Sequence, residues 1–347
     1  MKKLLSILLA VMLTLTTLSF VACSKDGESA KESVQDSVEE PVKLSFYAPD
    51  GAPALSIAKF ISDNETFGMN AQISYNVVSA SNIGPTMAKG EGDFIVIPVN
   101  AASKLYKANS SDPYVMTAVV THGNLYVATT EENLTLQGLK GKVIGVIGQG
   151  LVPDLTFRAV LKDNGLLDDV VAGDTATDGK ITIRYFAQAP DMLPLLKQGK
   201  LSVGLLPEPA LTNLTTKVAS EKTWNILDLQ ELYDAQAKAY PQAILMVKKS
   251  VYDKFKTQID GMSEYFGNNL SWIKANVADA VGAISSVLPQ GVTPSLNANA
   301  ITPTVIDNCK IYYQSSSDAK QDVINYLNKI ISVDSSSAKT VDDDFFA

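Results

Sequence analysis

Short apolar runs alternate with amphipathic stretches along most of the chain, and their spacing predicts an α/β architecture. Residues 43–47 read as a strand, after which Asp50-Gly51-Ala52-Pro53 opens a helix with Leu55, Ile57, Ala58, Phe60 and Ile61 at helical spacing. The unit returns at 71–78, turning through Ser79-Ala80-Ser81-Asn82 into a helix over 83–89, and again at 93–97, followed by a helix over 100–107. A second block follows the polar stretch 129–133. Its first strand, 143–147, runs through Gly148-Gln149-Gly150 into a long helix over 153–164 that offers Leu155, Phe157, Ala159, Val160 and Leu161 to a core. A strand at 181–186, a helix at 192–197, a strand at 202–206 and a helix at 210–219 complete the block. A strand at 243–247 and a helical remainder over 250–329 are most economically returned to the first block. Strands alternating with helices in this way imply mainly parallel sheets, covered on both faces and joined by right-handed crossovers. Two lobes are therefore expected, one from 42–126 plus 244–335 and one from 127–243, with an acidic C-terminal tail over 336–347.

The chain start reads as an export signal. Lys2 and Lys3 precede an apolar run over 4–21, and Phe20-Val21-Ala22-Cys23 resembles a bacterial lipobox with Phe20 where Leu is usual. Cleavage would leave Cys23 as a lipidated N-terminus, anchoring an exported protein to a membrane. The competing reading is an uncleaved spanning helix, for which about 18 apolar residues are only just enough. Residues 24–41 carry six acids, two lysines and no aromatic residue, too little apolar surface to offset the entropy of ordering, so they read as a disordered tether.

With Cys23 committed to lipid, Cys309 is the one cysteine left, and no intrachain disulfide is available. Stability must come from the core, for which an apolar content of 46% is ample. A net charge of −8 argues against nucleic acid as a partner. His122 is the only histidine, which leaves little material for a histidine metal site or a serine-histidine pair; no cofactor, metal or catalytic residue is expected, and a monomer is.

Three stretches carry a family resemblance: LKGKVIGVIGQGLVPDLTFRAVLKDNGL from Leu139, SVGLLPEPALT from Ser202 and YPQAILMVKKSVYDKF from Tyr240. In order and spacing they resemble the nitrate, sulfonate, taurine and thiamine-precursor group of type II periplasmic binding proteins. The resemblance implies a two-lobe fold whose chain crosses between lobes twice, here near 122–130 and 232–243. It also implies a small-molecule ligand in the cleft, closure by hinge motion, and an ABC permease and ATPase as partners. Some pyrimidine-precursor and menaquinone-pathway enzymes share the fold, but one histidine and an export signal count against that class. A ligand-sensing lipoprotein remains the other reading.

Ligands of open α/β sheets bind beyond the carboxyl ends of the strands. The loops so placed are 49–53, 79–82, 98–100 and 121–123 in the first lobe, and 148–154 and 207–209 in the second. Candidate ligand contacts are Asp50, Gly51, Ser79, Ser81, Asn82, Asn100, Gly148, Gln149, Gly150 and Glu208. Backbone N–H groups of 148–150 at a helix start suit a ligand oxygen, although the same glycines suit a tight turn. Ser79, Ser81, Asn82 and Asp50 suit ligand contact and helix capping alike. Glu208, stiffened between two prolines, faces ligand in the resembling family, against the alternative of a solvated loop carboxylate. Tyr47, Phe186 and Tyr240 suit either a ring-stacking site or a core. The only arginines, Arg158 and Arg184, lie outside these loops, which favours a neutral or cationic ligand over an oxyanion, with Glu208 as charged partner.

Overall fold

The computed structural model describes residues 40–215, 223–236, 239–292 and 294–347. The expected leader, Cys23 and nearly all of the tether lie outside the described residues.

The chain begins with β1 (Val42–Pro49), α1 (Ala52–Leu55), α2 (Ala58–Asp63), β2 (Ala71–Val78), α3 (Ile83–Ala88), β3 (Phe94–Pro98), α4 (Val99–Leu105) and β4 (Tyr114–His122). In β2 the alternation is strict: Ala71, Ile73, Tyr75 and Val77 are buried while Gln72 and Ser74 are exposed, as suits an edge strand with one packed face. All nine residues of β4 are buried, so that strand has no polar period.

The second lobe comprises β5 (Leu125–Thr129), β6 (Lys142–Ile147), α5 (Val152–Asp163), β7 (Val170–Ala172), β8 (Ile181–Phe186), α6 (Ala189–Lys197), β9 (Val203–Pro207), α7 (Ala210–Thr215), β10 (Asn225–Asp228) and α8 (Leu229–Tyr233). The chain then returns through β11 (Pro241–Lys248), α9 (Lys249–Lys254), α10 (Lys256–Asp260), α11 (Met262–Ala275), α12 (Val277–Ser286), α13 (Pro303–Asn308), β12 (Ile311–Ser315) and α14 (Ser316–Val333).

Each lobe is built on a six-stranded mixed sheet. The first has the order β12-β4-β11-β3-β1-β2 and the second β10-β5-β9-β6-β8-β7. In the first, β1 pairs in parallel with β2 and β3, whereas β11 runs antiparallel between β3 and β4. In the second, β6 lies parallel between β8 and β9, and β5 is antiparallel to β9. The expected lobe limits at 126/127 and 243/244 fall inside β5 and β11. Pairing moves them to the Gly123-Asn124 link and to Tyr240, because β5 belongs wholly to the second sheet and β11 to the first. Residues 336–347 are likewise part of the first lobe rather than a separate tail: Phe345 is fully buried, Ala347 N donates to Met116 O, and Lys107 pairs with Asp342 at 2.7 Å.

One buried cluster runs through both lobes. It joins Ile95 and Ile97 of β3 to Leu155 and Val160 of α5 through Tyr326, Leu327 and Ile330 of α14. The contacts of α14 with the second lobe are specific. Thr156 and Tyr326 share a hydroxyl hydrogen bond of 2.7 Å, Lys329 pairs with Asp163 at 2.7 Å, and Lys162 Nζ donates to Ser332 O.

Candidate ligand-binding cleft

The carboxyl ends of β1, β2, β3 and β4 share one edge of the first sheet, and those of β6, β8 and β9 share one edge of the second. The edges meet where the chain leaves β4 at His122 and enters β5 at Leu125, beside Pro207 at the end of β9. The return crossing lies alongside: Gly123 N donates to Tyr240 O at 2.9 Å. A side chain at Gly123 would bring its Cβ to 2.2 Å from the Tyr240 ring, so only glycine fits.

On the first lobe the Asp50 carboxylate is engaged by backbone. Oδ1 accepts from Gly51 N at 2.8 Å and Oδ2 from Ser295 N at 2.7 Å. It ties the loop after β1 to the segment between α12 and α13, which carries the exposed Val292. Gly51 holds φ 107°, a conformation that favours glycine. Ser81 and Asn82 are exposed on the next loop; the Ser79 and Ser81 hydroxyls lie 3.1 Å apart, and Asn82 caps α3 without a side-chain hydrogen bond. The Ser81 and Asn82 side chains are therefore exposed and not consumed at the helix start. Asn100 stands apart: it is 4% exposed and its amide donates to Ser337 O, which turns it into the packing against the C-terminal segment.

On the second lobe Gly148 and Gly150 both have φ near 70°, at 70° and 71°, as the tight turn requires. Gly148 N donates to Phe186 O, and Gly150 N to Asp154 Oδ2 at 2.8 Å. Asp154 is buried and also accepts from the Tyr185 hydroxyl; burial raises its carboxyl above the usual range, against those two hydrogen bonds. The start of α5 thus already holds a carboxylate of its own. Gln149 and Leu151 are exposed in the turn before α5.

Glu208 is 3% exposed. Its carboxylate accepts from Thr212 N at 3.1 Å and Thr212 Oγ1 at 3.0 Å. Burial raises this carboxyl as well, against the Thr212 hydrogen bonds and the nearby Asn308 side chain of the first lobe, which lower it. Glu208 is thus buried, with its carboxylate oxygens already engaged by Thr212.

Around it lies a polar chain that motif reasoning did not single out. Asn124 Nδ2 donates to Glu208 O, Gln242 Nε2 donates to Asn124 Oδ1, and Gln230 exchanges two hydrogen bonds with the Leu125 backbone. The available signals were a polar residue opening the apolar run of β11 and an Asn-containing link between two apolar strands. Of the ring candidates, Tyr240 is buried and stacked on Tyr326 at 5.5 Å, Phe186 lies under Arg184, and Tyr47 is half-buried. His122 is buried, stacked on Tyr312 at 3.6 Å, and shares a hydrogen bond of 3.1 Å between Nε2 and Gln314 Oε1; burial pushes its pKa down to about 4.

No protein-family profile matches the sequence, and a search of curated proteins returns no match. Solved structures do resemble the fold. An ABC transporter protein from Parabacteroides distasonis is 20% identical with a TM-score of 0.68, over 89% of this chain and 99% of that one. The periplasmic aliphatic sulphonate binding protein SsuA of Escherichia coli is 12% identical with a TM-score of 0.56, over 84% and 94%. The alkanesulfonate-binding protein SsuA of Xanthomonas axonopodis pv. citri, bound to MOPS, is 12% identical with a TM-score of 0.54, over 87% and 99%. The chain has the two-lobe α/β fold that these binding proteins share.

Proposed function

We infer that this protein is the substrate-binding component of an ABC importer, exported, held at the membrane by lipid on Cys23, and able to pass a small molecule from its cleft to a permease. The observation that carries this reading is the meeting of two carboxyl sheet edges at a double crossing, the place where this fold class binds ligands. The neighbours' roles support it. No helix among the described residues is long and apolar enough to cross a membrane. Fatty-acid labelling that Cys23→Ser abolishes is the expected sign of anchoring; label that survives the substitution refutes it.

Ser79, Ser81, Asn82 and Gln149 are the proposed ligand contacts, with Gly148 and Gly150 shaping the turn. The ligand class is a neutral or cationic heterocycle or amine. Its support is the start of α5: the Gly150 N–H that an oxyanion needs is bonded to Asp154, and the arginines lie outside the cleft loops. A thermal-shift series is the test. At about 100 times its dissociation constant a ligand stabilises the fold by about 2.7 kcal/mol, a shift of several degrees. Amines or pyrimidines are expected to give it; a response to taurine, alkanesulfonates or nitrate alone overturns the ligand class.

A further inference from the structure

A cavity of about 310 Å³ opens beside the two crossings, away from the loops that carry the proposed cleft contacts. The first lobe contributes Tyr312 of β12 and Asp322 of α14, the second contributes Tyr233 and Asp234 at the end of α8, and Tyr240 comes from the return crossing. β12 and β2 are opposite edges of the first sheet, so four strands separate this cavity from the loop of Ser81 and Asn82. On the second sheet α8 follows β10, the edge strand that β5 and β9 separate from β6 and Gln149. The volume is in the range of small-molecule sites.

The aromatic rings of the cavity come in two pairs. Tyr312 stacks on His122 at 3.6 Å and is still 42% exposed, and Tyr233 lies 5.0 Å from Tyr240. Among the described residues no lysine or arginine lines the cavity, whereas two aspartates do. Asp322 is exposed and, among those residues, forms no ion pair; its one hydrogen bond is a donation from Gln314 Nε2 at 3.4 Å. Its charge acts on Tyr312, whose phenol is raised by burial first and by Asp322 second, and on His122, where it works against burial. Burial wins there: a pKa of about 4 keeps the imidazole uncharged at neutral pH, so the ring adds no positive charge to offset Asp322.

A carboxylate without a cation, beside an aromatic ring with an open face, is the chemistry that attracts a positive charge. Among the described residues no three His, Cys, Asp or Glu side chains gather closely enough to hold a metal ion, which leaves an organic cation. The adjoining surface already seats one of the chain's own cations in this way: Lys329 Nζ lies 4.0 Å from the Tyr233 ring centroid while paired with Asp163. We propose that this cavity is a second binding site, separate from the cleft, for an organic ammonium ion that rests on the Tyr312 ring and pairs with Asp322. The inference goes beyond the importer reading and does not depend on it.

The probe is 2-phenylethylammonium, with 2-phenylethanol as its uncharged counterpart, titrated against the purified exported protein by ligand-observed nuclear magnetic resonance. The ammonium ion is expected to bind and the alcohol to bind at least about fivefold more weakly. Asp322→Asn and Tyr312→Leu, both at exposed positions, are each expected to weaken the ammonium about fivefold, the equivalent of about 1 kcal/mol. Tyr312→Phe keeps the ring and is expected to keep the affinity, and Gln149→Trp, in the cleft, is expected to leave it unchanged. No binding, equal binding of the alcohol, or wild-type affinity in both Asp322→Asn and Tyr312→Leu overturns the proposal. Affinity lost in Gln149→Trp but kept in Asp322→Asn also overturns it, by assigning the amine to the cleft, and in that case the cleft reading stands.

Discussion

His122 shows at the residue scale how burial alone sets a property. Its pKa falls from 6.5 to about 4, chiefly by desolvation, with Asp322 nearby and Gln314 and Tyr312 in contact. Between those values the unfolded chain binds a proton that the folded protein does not, so stability is full above pH 6.5 and is lost as pH falls toward 4. The displacement corresponds to about 3 kcal/mol. Denaturant unfolding at pH 7 and pH 4.5 is expected to show that loss in wild type and a smaller one in His122→Gln; equal losses contradict the assignment. Gly123→Ala is a second residue-scale prediction, because the added methyl meets the Tyr240 ring. Overpacking of this kind costs about 1–3 kcal/mol, and a wild-type melting temperature in the variant contradicts the close approach. The turn chemistry of Ser79, Asn82, Gly148 and Gly150 was legible in sequence because it depends on neighbours within a few residues. The distant partners of Asp50 and Asn100 were not. Ser295 and Ser337 lie 245 and 237 residues away, and no local pattern reports them.

Elements with a clear period were legible, and those without one were not. The alternation of β2 and the amphipathic stripe of α5 identify both directly. By contrast β4 and β5, each fully buried, run as unbroken apolar stretches in which no face can be told from the other. The remainder after residue 250 read as wholly helical, yet β12 lies within it, its short Ile-Tyr-Tyr-Gln-Ser run on the sheet edge holding one buried and four partly or fully exposed residues. The longest helix, α14, was placed by connectivity with the first lobe, but its second half packs on α5 of the second. Leu327→Ala should therefore cost about 2–5 kcal/mol as a core truncation. Because the cluster it belongs to spans both lobes, calorimetry is expected to show one lowered transition; two separated transitions contradict a shared core.

The molecule as a whole combines two sheets that meet at their carboxyl edges with a chain that crosses between them twice. The two covered sheets followed from the order of strands and helices, the double crossing was what the family resemblance implied, and the antiparallel pairings of β5, β10, β11 and β12 did not follow from alternation alone. The ligand did not follow, because the proposed contacts are a handful of exposed groups on loops that share no pattern. Sequence located the loops, and structure separated Ser81, Asn82 and Gln149, which are exposed, from Asn100, Asp154 and Glu208, whose polar groups are buried and already engaged. The central claim is that the cleft holds one small molecule. Native mass spectrometry of the gently purified exported protein, beside a Gln149→Trp variant that fills the lip from an exposed position, tests it most directly. The account predicts a single small-molecule adduct on wild type that is lost or much reduced in a variant of unchanged melting temperature; an adduct retained equally by both would contradict it.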